Sequence, residues 1–156
     1  KTFDWYYEQQ NLGFNYRLSD IQCALGISQL NNLNLIIKRR NYLVKQYKKY
    51  LYLDNLKIQK IDEKCSSSFH LFIIMTTYKD RIKIFKKLKS IGVTTSFHYI
   101  PIYRHPYYVR KKFNIKQYRN SEKYYKEGMS IPLFYDLSIK QIKKISQQIN
   151  KIIVSK

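Results

Sequence analysis

The run Gly13-Phe14-Asn15-Tyr16-Arg17-Leu18-Ser19-Asp20 holds the residue types best suited to chemistry in this chain. A phosphate dianion is held by charge-assisted donors, and Arg17 offers several in one planar fork. The Asn15 amide adds neutral donors. A helix that opens at Ser19 would turn its positive end toward the same place, which favours an anion. The same residues allow a plainer reading, in which Asn15 caps a turn and Arg17 pairs with Asp20 at the surface. Residue chemistry alone leaves both open.

Elsewhere the means for catalysis are thin. There are ten acidic residues, and none forms a spaced carboxylate pair on one expected helix face. Cys65, His70, His98 and His105 fit no zinc spacing, so no metal site is expected. With only four glycines the chain holds neither a Walker loop nor a GxGxxG turn. His98 stands out among the three histidines because it ends an apolar run just before a proline-rich loop, in Phe97-His98-Tyr99-Ile100-Pro101. Functional side chains favour loops at strand ends. Tyr99, Tyr103, Tyr107 and Tyr108 would suit stacking on a sugar or a base. In a chain of 16 tyrosines, however, packing competes with that role.

These residues need elements to hold them. Ser19 and Gln22 have the spacing of a capping box, so a helix should start there. Ile21, Ala24, Leu25 and Ser28 would line one face, with Cys23 a small buried hydrophobe. Asn31-Asn32 should break or bend the helix, and the pattern resumes through Ile36, Ile37, Leu43, Val44, Tyr47 and Leu51. Residues 71–77 are β-branched and aromatic and predict a buried strand. A helix over 80–90 should bury Ile82, Phe85 and Leu88 and stop at Gly92. Residues 93–99 predict a second strand, 100–108 a loop, 120–127 a short helix ended by Gly128, and 129–132 a short strand. Ser138 with Gln141 makes another capping box, opening a last helix that faces inward with Ile142, Ile145, Ile149, Ile152 and Ile153. The order predicts an α/β (α+β) arrangement of helices on a small mixed or antiparallel sheet.

At 156 residues and 44% hydrophobic content, the chain can bury one domain's core. No apolar run approaches the roughly 20 residues that span a bilayer, and no secretory signal opens the sequence. The two cysteines follow no redox spacing, which fits a reducing cytoplasm. The net charge of +20 is large enough to suggest nucleic acid or an anionic surface. Yet the lysines are spread over every expected helix, in a chain rich in Ile, Asn and Tyr, as codon bias in an AT-rich genome would produce.

The motifs also carry a resemblance. The run from Trp5 through Leu30, including Gly13-Phe14-Asn15-Tyr16-Arg17, is followed in order by several others. They are Ser68-Phe69-His70-Leu71-Phe72, the turn from Lys89 to Thr95, His98-Tyr99-Ile100-Pro101, Pro106-Tyr107-Tyr108, Ser121-Glu122-Lys123-Tyr124-Tyr125 and Ser130-Ile131-Pro132-Leu133-Phe134. Together they resemble the DegT/StrS-type nucleotide-sugar aminotransferases, pyridoxal-phosphate enzymes of the aspartate-aminotransferase fold (fold type I). The resemblance implies that Asn15, at the asparagine of a GxNxR motif, binds the phosphate of pyridoxal phosphate in the neighbouring subunit. Arg17 would support that loop or add charge beside the phosphate. His98, Tyr99 and Pro101 would lie near the sugar nucleotide.

One departure matters. The family's Schiff-base lysine and the acidic partner of the cofactor ring lie well upstream of GxNxR, and no lysine here occupies that position. No catalytic residue is therefore expected in this chain. The resemblance implies a C-terminal part: residues 1–18 as the tail of the large cofactor domain, 19–53 as linking helices and 54–156 as the small C-terminal domain. The complete enzyme would be a cytoplasmic homodimer. It would move an amino group from glutamate to a 4-keto-6-deoxy nucleotide sugar, UDP-linked, for pseudaminic acid or a related surface glycan. Neither membrane nor nucleic acid would be a partner. The alternative is a basic, non-catalytic module that binds nucleic acid or an anionic surface.

Overall fold

A computed structural model of the protein describes residues 6, 8–14, 16–109 and 113–154. Two compact units divide the chain, Lys1–Leu33 and Asn34–Lys156.

In the first unit a loop leads into helix α1, Asp20–Asn31. Both halves of the expected capping box form: Ser19 Oγ accepts the Gln22 N–H, and Gln22 Oε1 accepts the Ser19 N–H at 2.8 Å. The helix stops at Asn32, whose amide donates back to the Ser28 carbonyl at 3.3 Å. No residue of α1 is buried, contrary to the reading of Cys23 as a small buried hydrophobe. Ile21, Leu25, Ile27 and Leu30 are all exposed, and so is Cys23. The reason lies in the pattern: apolar side chains surround α1 instead of forming one stripe, and a helix apolar all round is stable only with cover on several sides.

The second unit is built on a three-stranded antiparallel sheet. Helix α2, Leu33–Tyr50, leads through a 3₁₀ turn at Leu53–Asn55 to strand β1, Lys57–Ile58. Strand β2, Phe72–Met75, is central and narrower than the stretch the sequence predicts. It pairs with β1, in a register that sets Lys57 opposite Met75, and with β3, Gly128–Ile131, which sets Phe72 opposite Ile131. Strand β1 was not anticipated, because two residues are too few to show a period. Helix α3, Tyr78–Ser90, follows β2 and is capped by Thr77. Helix α4, Pro106–Val109, and a 3₁₀ turn at Ile102–Arg104 replace the expected loop. Helix α5, Arg119–Glu127, leads directly into β3, and α6, Ile139–Val154, closes the chain with the expected Ser138–Gln141 box.

The core lies between the sheet and α2, α3 and α6. Leu43, Val44 and Tyr47 come from α2, Phe72 and Ile74 from β2, Ile84 and Leu88 from α3, and Ile142, Ile145, Ile149 and Ile153 from α6. The expected face of α6 holds, with Ile152 half-buried at its margin. That of α3 holds in part: Leu88 is buried and Phe85 packs half-buried on the core, while Ile82 is only half-buried and Ile84, not expected inside, is fully buried. The inner stripe is Arg81, Ile84 and Leu88, and a buried arginine on it masks the apolar period.

Arginines of α2 pin the loops around this core. Arg39 donates to the carbonyls of Tyr135 and Leu137, both at 3.0 Å. Arg40 donates to Phe69 O at 2.8 Å, His70 O at 3.0 Å and Leu133 O at 3.3 Å. Asn150 of α6 closes the end of α2, donating to Tyr50 O and accepting from the Tyr52 N–H.

Residues 93–99 do not form the second long strand. Only Ser96 bridges to Ser130, through reciprocal backbone bonds of 2.8 and 3.3 Å. The chain leaves the ladder because Phe97 turns to pack on Phe85, with ring centroids 5.2 Å apart, and over the Arg81 guanidinium at 4.4 Å.

Two outcomes follow. A Cβ added at Gly128 would lie 2.8 Å from the Tyr124 backbone oxygen, so the α5–β3 junction must move. Gly128→Ala should cost about 1–3 kcal/mol in urea unfolding followed by circular dichroism; an unchanged midpoint would show that the junction yields freely. Charged replacements at Leu25 and Leu30 should reduce concentration-dependent association in light scattering. Association equal to that of the unchanged chain would exonerate the α1 surface.

Candidate functional site

His98 sits where the extended segment after α3 leaves the edge of β3. Its Nε2 lies 2.8 Å from Ser130 Oγ, and that hydroxyl is 3.3 Å from the Ser96 carbonyl. With the hydroxyl proton directed to Ser96 O, the network assigns the His98 proton to Nε2, which donates to Ser130. Nδ1 is then an acceptor; it is buried and has no hydrogen-bond partner among the described residues. The imidazole meets the Tyr99 ring edge-on, centroids 4.8 Å apart, across a cis His98–Tyr99 peptide. Tyr99 itself is exposed, and Pro101 is half-buried at the head of the 3₁₀ turn, where its carbonyl accepts from Arg104 N at 2.8 Å. The three residues expected near a substrate thus share one loop, with an unmet acceptor at its base.

A second network holds this loop to α5. Glu122 accepts from Arg104 through both carboxylate oxygens and from the Tyr103 hydroxyl at 2.9 Å. The hydrogen bonds from Arg104, the largest influence, and from Tyr103 hold the Glu122 carboxyl below the usual carboxylate range, against a smaller opposing effect of burial. Neither Ser130 nor Glu122 could be paired with its partner from sequence, since 32 and 18 residues separate the contacts.

The loop expected to hold a phosphate lies in the first unit. Arg17 is exposed and makes no hydrogen bond or ion pair among the described residues, so the expected alternative of an Arg17–Asp20 pair is not realised. Phe14 and Tyr16 flank position 15 with stacked rings, 5.2 Å apart and 15° from parallel. Asn15 lies outside the described residues. His70 is exposed, and His105 Nε2 lies 3.3 Å from the Ile100 carbonyl. Among the described residues no group of three His, Cys, Asp or Glu side chains could hold a metal, and no helix is long and apolar enough to cross a membrane.

The lowered Glu122 pKa has a definite sign. Its stabilisation is fully present above the unfolded carboxyl pKa of about 4.3 and is lost as pH falls through the lower folded value. The difference in Tm between the chain and Glu122→Gln should therefore shrink as pH drops from about 7 to about 3. A difference that stays constant over that range would show that the carboxylate charge does not hold the loop.

Residues 2–150 match the DegT/DnrJ/EryC1/StrS aminotransferase family. The UDP-4-amino-4,6-dideoxy-N-acetyl-beta-L-altrosamine transaminase of Campylobacter jejuni is 29% identical over 96% of this chain and 40% of its own length. Helicobacter pylori PseC, described as an aminotransferase of pseudoaminic acid biosynthesis, superposes with a TM-score of 0.79 at 26% identity, over 100% of this chain and 43% of PseC. DesV of S. venezuelae gives a TM-score of 0.87 at 21% identity, over 99% of this chain and 42% of DesV, and supports the fold. The chain spans about 40% of the length of the curated relatives it matches. The architecture is that of a part of the fold type I aminotransferases, and the chain belongs to the DegT/DnrJ/EryC1/StrS aminotransferase family.

Proposed function

We propose that this chain forms the C-terminal part of a PLP-dependent nucleotide-sugar aminotransferase. The complete enzyme moves an amino group from glutamate to a 4-keto-6-deoxy nucleotide sugar, UDP-linked, in pseudaminic acid or related surface-glycan synthesis. It works in the cytoplasm as a homodimer. Residues 1–18 end the cofactor domain, 19–53 link it, and 54–156 form the small domain. The observation that carries the reading is the family match over residues 2–150, which includes the GxNxR loop and the His98 loop in one collinear order.

The chain's own residues fit one end of the cofactor. Arg17 offers an uncommitted guanidinium beside the opening of α1, a donor set suited to a phosphate. With Asn15 it would hold the phosphate of pyridoxal phosphate bound in the neighbouring subunit. The cofactor, when bound, supplies the electron sink that amino transfer needs. Nothing among the described residues fits its reactive end: every described lysine is exposed, and none of these sits in a desolvated pocket that would tune an amine for covalent work. The His98 loop serves the sugar nucleotide, with His98 holding the base of the loop on Ser130 and Tyr99 and Pro101 as its walls.

Two measurements test this. Mixed with pyridoxal phosphate and reduced with borohydride, the 156-residue chain should show no stoichiometric label on one lysine. Such a label, together with transamination, would place the chemistry inside this chain and overturn the fragment reading. In the full gene product, Arg17→Ala should weaken pyridoxal phosphate retention about tenfold by absorbance titration, as expected for loss of one charge-assisted contact. A gene product that transfers no amino group from glutamate to any UDP-linked 4-keto sugar would sink the function.

A further inference from the structure

An aromatic pocket of 570 Å³ opens beside the His98 loop. Tyr99, Tyr103, Phe113, Tyr118 and Tyr124 supply its rings, and Asn120 and Ser121 add polar groups. Tyr103 and Tyr118 stack with centroids 4.7 Å apart and 20° between planes, which makes one wall stiff. The Tyr103 hydroxyl is anchored on Glu122, so that ring is held from behind. Tyr99, Phe113 and Tyr124 leave ring surface open to a ligand. Tyr107 and Tyr108, grouped with Tyr99 and Tyr103 on sequence grounds, pair with each other and do not line this pocket.

The lining excludes some ligands. It contains no charged side chain among the described residues, so it does not suit a diphosphate or the carboxylates of glutamate. Its size falls within the roughly 300–1,000 Å³ of small-molecule sites. Ring faces on more than one side suit a planar heteroaromatic group, since every base offers a π-face to stack. The Asn120 amide makes no hydrogen bond among the described residues. It can accept from one position and donate to the next, the complement of the imide edge of a uracil-type base. We infer that this pocket receives the pyrimidine base of a nucleoside diphosphate, stacked on the Tyr103–Tyr118 wall and read by Asn120. This inference rests on the nucleotide-sugar reading and gives it a location: the base lodges under Tyr99, while the sugar end extends past His98.

The pocket lies wholly within this chain, so the 156-residue protein can test it with UDP, uridine and a hexose 1-phosphate. Equilibrium dialysis should show UDP and uridine bound, and saturation-transfer NMR should find the strongest transfer at the base protons. Tyr118→Ala and Tyr99→Ala should each weaken uridine about tenfold, the scale of one lost stacking contact, while Tyr118→Phe retains binding. Tyr99 is exposed, so its variant should fold as the parent does, with circular dichroism as the check. Uridine that fails to bind, UDP affinity unchanged in both alanine variants, or preferential uptake of the hexose 1-phosphate would each overturn the proposal. If the gene product still aminates a UDP-linked sugar in that case, only the pocket is lost. If UDP binds as expected but no sugar is aminated, the aminotransferase reading fails instead.

Discussion

Arg81 enters the core from the first turn of α3 and joins the parts of the second unit that frame the candidate site. Its guanidinium lies over the Phe97 ring at 4.4 Å and near the Tyr78 ring at 5.3 Å. From the same group, Nη1 donates to the carbonyls of Tyr125, at 2.7 Å, and Gly128, at 3.3 Å. Burial pulls its pKa below the ordinary arginine value, but ring faces and carbonyl oxygens replace much of the lost water. Phe97 immediately precedes His98, and Gly128 opens the strand that carries Ser130. One cation therefore fixes both sides of the His98–Ser130 contact.

The site inherits its order from that anchor. β3 is buried along its whole length, so Ser130 can hold the imidazole without shifting. Across the loop, Glu122 gathers Arg104 and Tyr103 and ties the 3₁₀ turn to α5. The loop is thus clamped at its base by neutral hydrogen bonds and at its tip by an ion pair. Between the clamps stand an exposed tyrosine and an unmet nitrogen. Buried polar atoms without partners are uncommon, and the His98 Nδ1 is one of only a few among the described residues.

The first unit follows a different logic. α1 is well capped and regular, yet all of its residues are exposed. Arg17 and the stacked rings of Phe14 and Tyr16 stand in the open beside it. Local chemistry has formed the helix, while its apolar side chains add nothing by burial. The neighbouring-subunit role proposed for this loop accords with that imbalance.

The two capping boxes, the break at Asn32 and the isoleucine face of α6 were legible in sequence, because each depends on residues within a few positions of one another. The GxNxR and His98 motifs were legible for a different reason: their order along the chain is itself a pattern. What sequence could not decide was everything set by distant partners. It missed the inner stripe of α3, because Arg81 looks polar until the carbonyls of residues 125 and 128 arrive to accept from it. It extended residues 93–99 into a strand, because β-branched residues favour extension but cannot reveal that Phe97 leaves the ladder for Arg81. It buried Cys23, because an apolar helix does not say whether its cover belongs to the same chain. Short-range hydrogen bonding and periodicity were thus written in the order of residues. Which polar groups find partners, and hence where the His98 acceptor and the tyrosine pocket lie, was decided only when segments far apart in sequence packed together.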